Sequence, residues 1–236
     1  MRFKITVPAL LAEFIGTYAL VLFGCGSIIL SDLENFPSVL IPLIFGLTIT
    51  IFVYLLGRFS GAHFNPAVTI GFVLNKEIPI KDSIFYITTQ ILGACLASQT
   101  HEIVFGRTHN FGVTTLSVNT GQGFFMEALC TGLLMFVILL VTRKENNIYG
   151  IAIGGTVFIS ALLIGDYTGG SLNPARSLGP ALISAEIKTV PPIAIPYILF
   201  SFLVTSKITN IKRPVHRASI KNPCVVSTER VVTPKL

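Results

Sequence analysis

Asparagine, proline and alanine stand together twice in this chain, at positions 65–67 and 173–175. Asparagine is a preferred helix N-cap, and proline is tolerated at the first helical position because its missing N–H would have no partner there. Each triplet therefore predicts the start of a helix, whose N-terminus carries about half a positive charge. Brought together, the two starts would form a positive electrostatic barrier with two side-chain amides aimed at one point. The residues concerned are Asn65, Pro66, Ala67, Asn173, Pro174 and Ala175.

Three ionisable residues lie within apolar stretches, where a charge is costly and needs a partner. Glu13-x-x-x-Thr17 in one stretch recurs as Glu127-x-x-x-Thr131 in another. We expect both glutamates to accept hydrogen bonds from backbone N–H groups just before the two triplets. The alternative is that the two glutamates relay protons. Arg176 directly follows the second triplet. Placing its charge in an apolar region costs free energy that no structural role there offsets, so we expect its side chain to line a permeation pathway.

The composition excludes an ordinary soluble domain. The 236 residues are 52% hydrophobic and 12% charged, with a mean hydropathy of +0.76, whereas a globular chain carries roughly 25% charged residues. Disorder is excluded because the apolar content is high. The four cysteines lack paired or metal-type spacing, so we expect no disulfide framework, no metal site and no cofactor. An integral all-α membrane protein is predicted.

Six apolar stretches predict membrane-spanning helices. They are Val7–Leu30, Val39–Leu56, Ile84–Ser98 (extended to about Lys81 and His101), Phe124–Val141, Ile148–Gly165 and Val190–Ser206. Two shorter segments, Ser60–Leu74 and Gly169–Ser184, have the length of re-entrant half-helices. We expect one transmembrane domain over residues 1–206, followed at 207–236 by a basic tail that is disordered or faces lipid headgroups.

The basic residues predict the orientation. Fourteen of the 17 fall in the two termini and the even-numbered connections, and the exceptions are Arg107, Arg176 and Lys188. The positive-inside rule then places both termini in the cytoplasm, as an even number of spans requires. The expected location is a cell membrane.

The chain is an internal repeat, with halves of about 7–101 and 121–206. The two glutamates are 114 residues apart and the two capping asparagines 108. Because each half has three spans, the halves must be inverted, and the short segments enter from opposite faces. Irregular backbone at membrane depth is tolerated where it lines a water-filled cavity. We therefore expect a ladder of carbonyl acceptors from Gly61, Ala62, His63, Phe64, Gly169, Gly170, Ser171 and Leu172.

His63 lies within this ladder. We expect its side chain to donate a hydrogen bond to the loop or to Glu13, and the alternatives are a ligand or a pH sensor.

These motifs resemble those of the aquaporin, or major intrinsic protein, family, in its bacterial or archaeal form. The resemblance covers about Val7 to Ser184 and includes the segment from Asp166 to Gly169 before the second triplet. It implies six transmembrane helices plus two half-helices, one pore per subunit and a homotetramer in the lipid bilayer. It also implies passive single-file passage of water or small neutral solutes, with exclusion of protons and ions.

The family's narrow filter is set by four positions, which spacing from the triplets places at Phe45, Ala161, Gly170 and Arg176. The resemblance implies that a strict water channel has Phe, His, a small residue and Arg at these four positions. It implies that a glycerol channel has an aromatic residue, Gly, a second aromatic residue and Arg. This chain keeps Phe45 and Arg176 but has no bulk at the other two positions, which favours a wider opening than a water-only filter.

Two further positions favour the water type. Ser177 stands where glycerol channels typically have Asp, and Ala181 where they have a basic residue. We therefore expect a water channel that also passes small uncharged solutes such as glycerol. The alternatives are a strict water channel and a non-conducting adhesion or structural protein of the same fold.

Other function classes lack their signatures. The sequence shows no nucleophile–base set, phosphate loop or metal cluster, so neither an enzyme nor a nucleic-acid partner is expected. The last span departs from the family, because Val190–Ser206 has Pro191, Pro192 and Pro196 and no glycine. This departure bears on the packing of the sixth helix and on subunit contacts more than on the pore.

Overall fold

The computed structural model describes residues 5–106, 110–142 and 147–184. Over these residues the chain is all-α, as the sequence predicts. The helices are α1 Val7–Asp32, α2 Ile41–Ser60, α3 Pro66–Leu74, α4 Ile80–Phe105, α5 Thr120–Val141, α6 Tyr149–Thr168 and α7 Pro174–Ser184, with a 3-10 turn at Ser38–Leu40. The predicted sixth span, Val190–Ser206, and the basic tail lie outside the described residues.

Four of the described helices, α1, α2 with its preceding turn, α5 and α6, are long and apolar enough to cross a membrane. The third predicted span corresponds to α4, which has 26 residues and at 1.5 Å per residue is about 39 Å long. It is more polar than the other four because it carries residues such as Lys81, Asp82 and Gln90. Large apolar side chains on the outer faces of the long helices are exposed, as expected of a surface in contact with lipid.

Local chemistry explains where several helices begin and end. The Thr6 hydroxyl accepts from the Ala9 N–H at the start of α1, and Asn119 and Gln122 form a capping box at the start of α5. Helices α2 and α6 end at Gly61 and Gly169, whose φ angles of 85° and 80° lie in the left-handed region. Glycine adopts this region without a Cβ clash, so each glycine turns the chain out of its helix and into a re-entrant loop.

The packing follows the internal repeat. Helix α1 packs on α2 and α4, α5 packs on α6, and α2 packs on α6 across the junction between the halves. At this junction Gly46 and Gly154 face each other so closely that a Cβ on Gly154 would lie 2.4 Å from the Gly46 carbonyl oxygen. The half-helices α3 and α7 are short, with 9 and 11 residues. They begin in the interior and are held there by α4.

Candidate functional site

The two Asn-Pro-Ala triplets start the two half-helices. Asn65 has an extended backbone, and its side-chain oxygen accepts from the Ala67 N–H at 2.8 Å. The Asn173 side-chain oxygen accepts from the Ala175 N–H at 3.0 Å. Each side chain thus caps its own helix, which then begins with proline at the first position.

The two helix starts meet through reciprocal hydrogen bonds. The Asn65 amide donates to the Leu172 carbonyl at 2.8 Å, and the Asn173 amide donates to the Phe64 carbonyl at 2.8 Å. Each asparagine therefore bonds the residue that precedes the other one. Both side chains are buried, with 4% and 3% of their surface exposed. The N-termini of α3 and α7 consequently point at each other in the middle of the molecule.

The loops before these helix starts have an unusual backbone. Ala62 and Phe64 have φ angles of 53° and 50°, and Gly170 and Leu172 have 54° and 54°. A residue with a side chain pays about 1–2 kcal/mol to enter this left-handed region. The alternation with residues of ordinary φ prevents helix formation and leaves the loop N–H and C=O groups without helical partners. Neighbouring groups must therefore satisfy them.

Glu13 satisfies the N–H groups of the first loop. One carboxylate oxygen accepts from the His63 N–H at 2.9 Å, and the other accepts from the Phe64 N–H at 2.7 Å. The second oxygen also accepts from the Gln90 side-chain amide at 2.7 Å. Glu13 is completely buried, so these donors replace the water that the carboxylate loses.

Glu127 has the same arrangement in the second loop. Its two oxygens accept from the Ser171 N–H at 3.0 Å and the Leu172 N–H at 2.9 Å. The Thr168 hydroxyl donates to it at 2.6 Å. Like Glu13, Glu127 is completely buried.

The His63 ring lies against α3. Its Nδ1 is 3.1 Å from the Thr69 hydroxyl oxygen, and the ring stacks on Phe72 at a centroid distance of 4.5 Å. The backbone N–H of His63, described above, contacts Glu13. The ring thus ties the first loop to its own half-helix.

Sequence reasoning missed Gln90. Its amide donates to Glu13 and also to the Thr69 hydroxyl at 2.9 Å, and the residue is fully buried in α4. A long polar side chain in an apolar helix was the available signal, since such residues face the bundle interior.

A cavity lies where the two helix starts meet. Its wall has a polar part and an aliphatic part. The polar wall consists of Ala62, His63, Asn65, Gly170, Ser171, Leu172, Asn173 and Arg176, which belong to the two loops and the starts of α3 and α7. The aliphatic wall consists of Leu20, Ile49, Val53, Val68, Leu134, Ile138, Ile153 and Val157, and Phe45 also borders the cavity.

Three of the four predicted filter residues, Phe45, Gly170 and Arg176, border this cavity directly. The guanidinium carbon of Arg176 lies 5.3 Å from the centroid of the Phe45 ring. Ala161 lies behind Gly170: a Cβ on Gly170 would be 3.2 Å from the Ala161 Cα. The structure thus brings the four positions together, with no side chain beyond a methyl group at two of them.

Arg176 is 1% exposed, although it carries a full charge. Its Nη1 donates to the Gly112 carbonyl at 2.7 Å. In the part of the chain that the structure describes, Nε and Nη2 have no hydrogen-bond partner. Sequence reasoning missed Gly112, which lies in the loop between α4 and α5. The cavity therefore contains N–H groups able to donate to a passing molecule.

No three histidine, cysteine, aspartate or glutamate side chains come together among residues 5–106, 110–142 and 147–184. The polar residues of the cavity wall include two asparagine amides, the His63 imidazole and the Arg176 guanidinium.

Comparison with known proteins agrees with this geometry. Residues 2–211 match the family model of the major intrinsic proteins. The chain is 38% identical over 192 residues to aquaporin NIP1-1 of Zea mays, covering 78% of this chain and 67% of that protein. It is 39% identical over 189 residues to nodulin-26 of Glycine max, covering 77% and 69%.

A solved structure shares the fold. The aquaglyceroporin from Plasmodium falciparum superposes with a TM-score of 0.73 at 25% identity, covering 87% of this chain and 96% of the other. The bacterial or archaeal form expected from the sequence stays a prediction. The family expected from the motifs is confirmed: this chain belongs to the major intrinsic protein family of water and small-solute channels.

Proposed function

We propose that the cavity between α3 and α7 is the conducting pore. Phe45, Ala161, Gly170 and Arg176 form its selectivity filter, and the two Asn-Pro-Ala triplets form its central constriction. The observation that carries this proposal is the mixed wall of the cavity, to which the two asparagines and the loop residues contribute together with aliphatic side chains of α1, α2, α3, α5 and α6. A neutral polar molecule gains hydrogen bonds from the polar residues and passes in single file.

The two asparagines orient the molecule that passes through the pore. A side-chain amide has two N–H bonds, and in each asparagine one of them is used on the opposite loop's carbonyl. The second N–H of each donates to the oxygen of a passing molecule. Loop carbonyls before and after this point then accept its hydrogens.

Cations are excluded at two places. The N-termini of α3 and α7 contribute about half a positive charge each at the centre. Arg176 adds a full charge at the filter, where its guanidinium lies over the Phe45 ring. A cation would lose its hydration shell against positive charge at both places.

The two glutamates act as loop braces. Each carboxylate accepts two loop N–H groups and at least one side-chain donor. Their oxygens are therefore committed to holding strained backbone, which favours bracing over a proton relay. The braces keep the carbonyl ladder, Gly61, Ala62, His63, Phe64, Gly169, Ser171 and Leu172, turned toward the pore.

The filter passes water together with small uncharged solutes such as glycerol. Support comes from the missing bulk at Ala161 and Gly170 and from the fold shared with a protein named as an aquaglyceroporin. A strict water channel is the second candidate, favoured by Ser177 and Ala181. The cavity at the meeting point of the two half-helices argues against a non-conducting structural role.

In the membrane, the face at which α1 and α4 end is the outer one, and both termini are cytoplasmic. This orientation, the cell membrane as location and a homotetrameric assembly rest on the charge distribution and on the family resemblance. No catalytic chemistry is part of the proposal.

The test is flux through purified protein in liposomes. Stopped-flow shrinkage in sucrose measures water flux, and swelling in glycerol or urea measures solute flux. We expect both to exceed those of protein-free liposomes. Val68→Phe, which adds a ring at the aliphatic wall, is expected to reduce both fluxes, whereas Val104→Phe, at an exposed position of α4, is expected to leave them unchanged.

Equal fluxes with and without protein would overturn the channel proposal. Water flux without any solute flux would overturn only the wide filter and favour the strict water channel.

A further inference from the structure

The loop between α4 and α5 holds the charged residue of the filter. The Gly112 carbonyl accepts from Arg176 Nη1 at 2.7 Å and is the hydrogen-bond partner of this guanidinium among the described residues. If this carbonyl moved, the guanidinium would lose the contact that fixes its direction. The residues that hold Gly112 in place therefore affect the filter from outside the pore.

Two neighbouring elements confine this loop. On one side Gly112 touches α1 so closely that a Cβ there would lie 2.7 Å from the Cβ of Cys25. On the other side Phe111 and Val113 are buried in a cluster with Ala181 of α7. The loop is thus wedged between α1 and the half-helix that carries Arg176.

His101 of α4 is the third support, and it is a buried polar one. It is 1% exposed, and its Nε2 donates to the Leu22 carbonyl of α1 at 2.9 Å. The ring stands edge-on to Phe111, with centroids 6.5 Å apart and an interplanar angle of 83°. Gly26 makes room for it, since a Cβ on Gly26 would lie 3.2 Å from Nε2.

These contacts form one path from α4 to the pore. The bond to Leu22 fixes the plane of the imidazole, the ring edge fixes Phe111, and the carbonyl of the next residue holds Arg176. An aromatic pair of this geometry contributes beyond simple burial. Two contacts of Asn110 also reach this loop: its side-chain oxygen accepts from the Gly112 N–H at 3.3 Å, and its own N–H donates to the Asp32 carboxylate at 3.1 Å. The first lies within the loop itself, and the second is exposed and contributes little.

We propose that His101 is a positioning residue for the selectivity filter, which sets the direction of the Arg176 guanidinium through Phe111 and Gly112 without touching the pore. The inference rests on the proposed function, because it assumes that Arg176 excludes cations. It makes His101 a determinant of ion exclusion and not of conduction.

The experiment compares variants in liposomes, with water flux and cation or proton leak measured on the same preparation. His101→Leu removes the donor to Leu22 and the ring edge at Phe111. We expect leak to rise about fivefold, as the loss of about one net hydrogen bond implies, while water flux stays within twofold. His101→Gln keeps a donor at the Nε2 position and is expected to recover part of the exclusion.

Thr100→Val is the matched control. The Thr100 hydroxyl is 3.1 Å from the Tyr18 hydroxyl at the same α1–α4 interface, one residue from His101. A general loosening of this interface would make Thr100→Val leak as well. We expect it to remain as tight to cations as the native chain, and equal leak in the two variants would overturn the proposal.

A double-mutant cycle tests the path itself. In an Arg176→Val background, His101→Leu is expected to add no further leak, because the group that it positions is gone. Additive leak would overturn the positioning role while leaving the filter intact. If Arg176→Val alone caused no leak, the proposed function would fail first, so the two failures are distinguishable.

Should His101→Leu not fold, Phe111→Leu probes the same path, since it keeps an apolar contact with Ala181 and removes the ring that faces His101. A cation or proton leak in Phe111→Leu like that expected of His101→Leu would support the proposal. A leak no greater than that of the native chain would overturn it.

Discussion

The two half-helices begin alike and then differ. In both, an asparagine caps the helix, proline follows, and a buried glutamate holds the preceding loop. Three residues after the asparagine, the first half has Val68 and the second has Arg176. The repeat therefore builds a symmetrical scaffold, and a departure from the repeat supplies charge on one side of the cavity only.

A second difference lies in the support of the loops. In the first half His63 Nδ1 is 3.1 Å from the Thr69 hydroxyl, and Gln90 reaches in from α4. In the second half the matching residues are Ser171 and Ser177, whose hydroxyls are 2.6 Å apart. At these matched positions the first loop is thus supported by an imidazole and the second by a small hydroxyl.

The largest expected effect breaks what the two halves share. Replacing Glu13 or Glu127 by Leu leaves two buried backbone N–H groups without an acceptor. Each such group lowers the free energy of unfolding by about 1–3 kcal/mol. We expect a large loss of thermal stability and of flux in either variant, and a smaller loss with Gln, which keeps one acceptor oxygen. Unfolding midpoints in detergent and liposome flux measure this. Native stability and flux in both Leu variants would contradict the bracing role.

The next prediction removes the difference in charge. Arg176→Val gives the second half the residue of the first, and we expect cation or proton leak to rise at least about tenfold, for which a barrier change of ~1.4 kcal/mol suffices. Water flux is expected to persist. Arg58→Val is the matched control, since Arg58 also lies over a phenylalanine ring, at 4.6 Å from Phe59, but is exposed. An Arg176→Val channel as tight as the control would place Arg176 outside the filter.

A third prediction sharpens the comparison at the filter. Ala161→His adds bulk and a donor next to Gly170, where neither residue has a side chain beyond a methyl group. Because selectivity depends on pore diameter and on the lining donors and acceptors, we expect glycerol or urea flux to be abolished and water flux to fall much less. Paired swelling measurements at matched protein density test this. Leu162→His, at the next and exposed position, should leave the ratio of solute to water flux unchanged.

The smallest effect concerns the supports of the loops. Gln90→Leu removes a donor to the Glu13 carboxylate and to Thr69, whereas Ser177→Ala removes two bonds between neutral hydroxyls, one to Ser171 and one from Thr114. Because a hydrogen bond to a charged group contributes about 1.5–3 kcal/mol and a neutral one about 0.5–1.5 kcal/mol, we expect Gln90→Leu to lower the unfolding midpoint more. A larger drop of the unfolding midpoint in Ser177→Ala would show that the hydroxyl pair is the stronger support.

Within the described residues, the sequence predicted the helices well but not their ends. The predicted span Phe124–Val141 begins four residues late, because α5 starts at Thr120 with a polar capping box. Likewise α2 continues past Leu56 to Ser60, where a left-handed glycine stops it. Apolar runs mark the part of a helix in contact with lipid, whereas caps and glycines decide where it ends.

The sequence by itself determined the class of protein, the inverted repeat and the two helix starts. These depend on composition and on local rules: Asn-Pro-Ala, repeated in two matching apolar contexts, favours a helix start over a turn, and a glutamate in an apolar helix must find donors. The all-α fold and the family are confirmed, while the roles of the filter, constriction, ladder and brace residues stay predictions that the geometry supports.

Only the tertiary structure decided which distant groups meet. Gln90 reaches Glu13 across 77 positions of sequence, and Gly112 holds Arg176 across 64. Nor does local preference predict left-handed backbone at Ala62, Phe64 or Leu172. Such contacts and strained conformations exist because packed helices and buried carboxylates hold them in place, and no nearby residue in the sequence encodes that support.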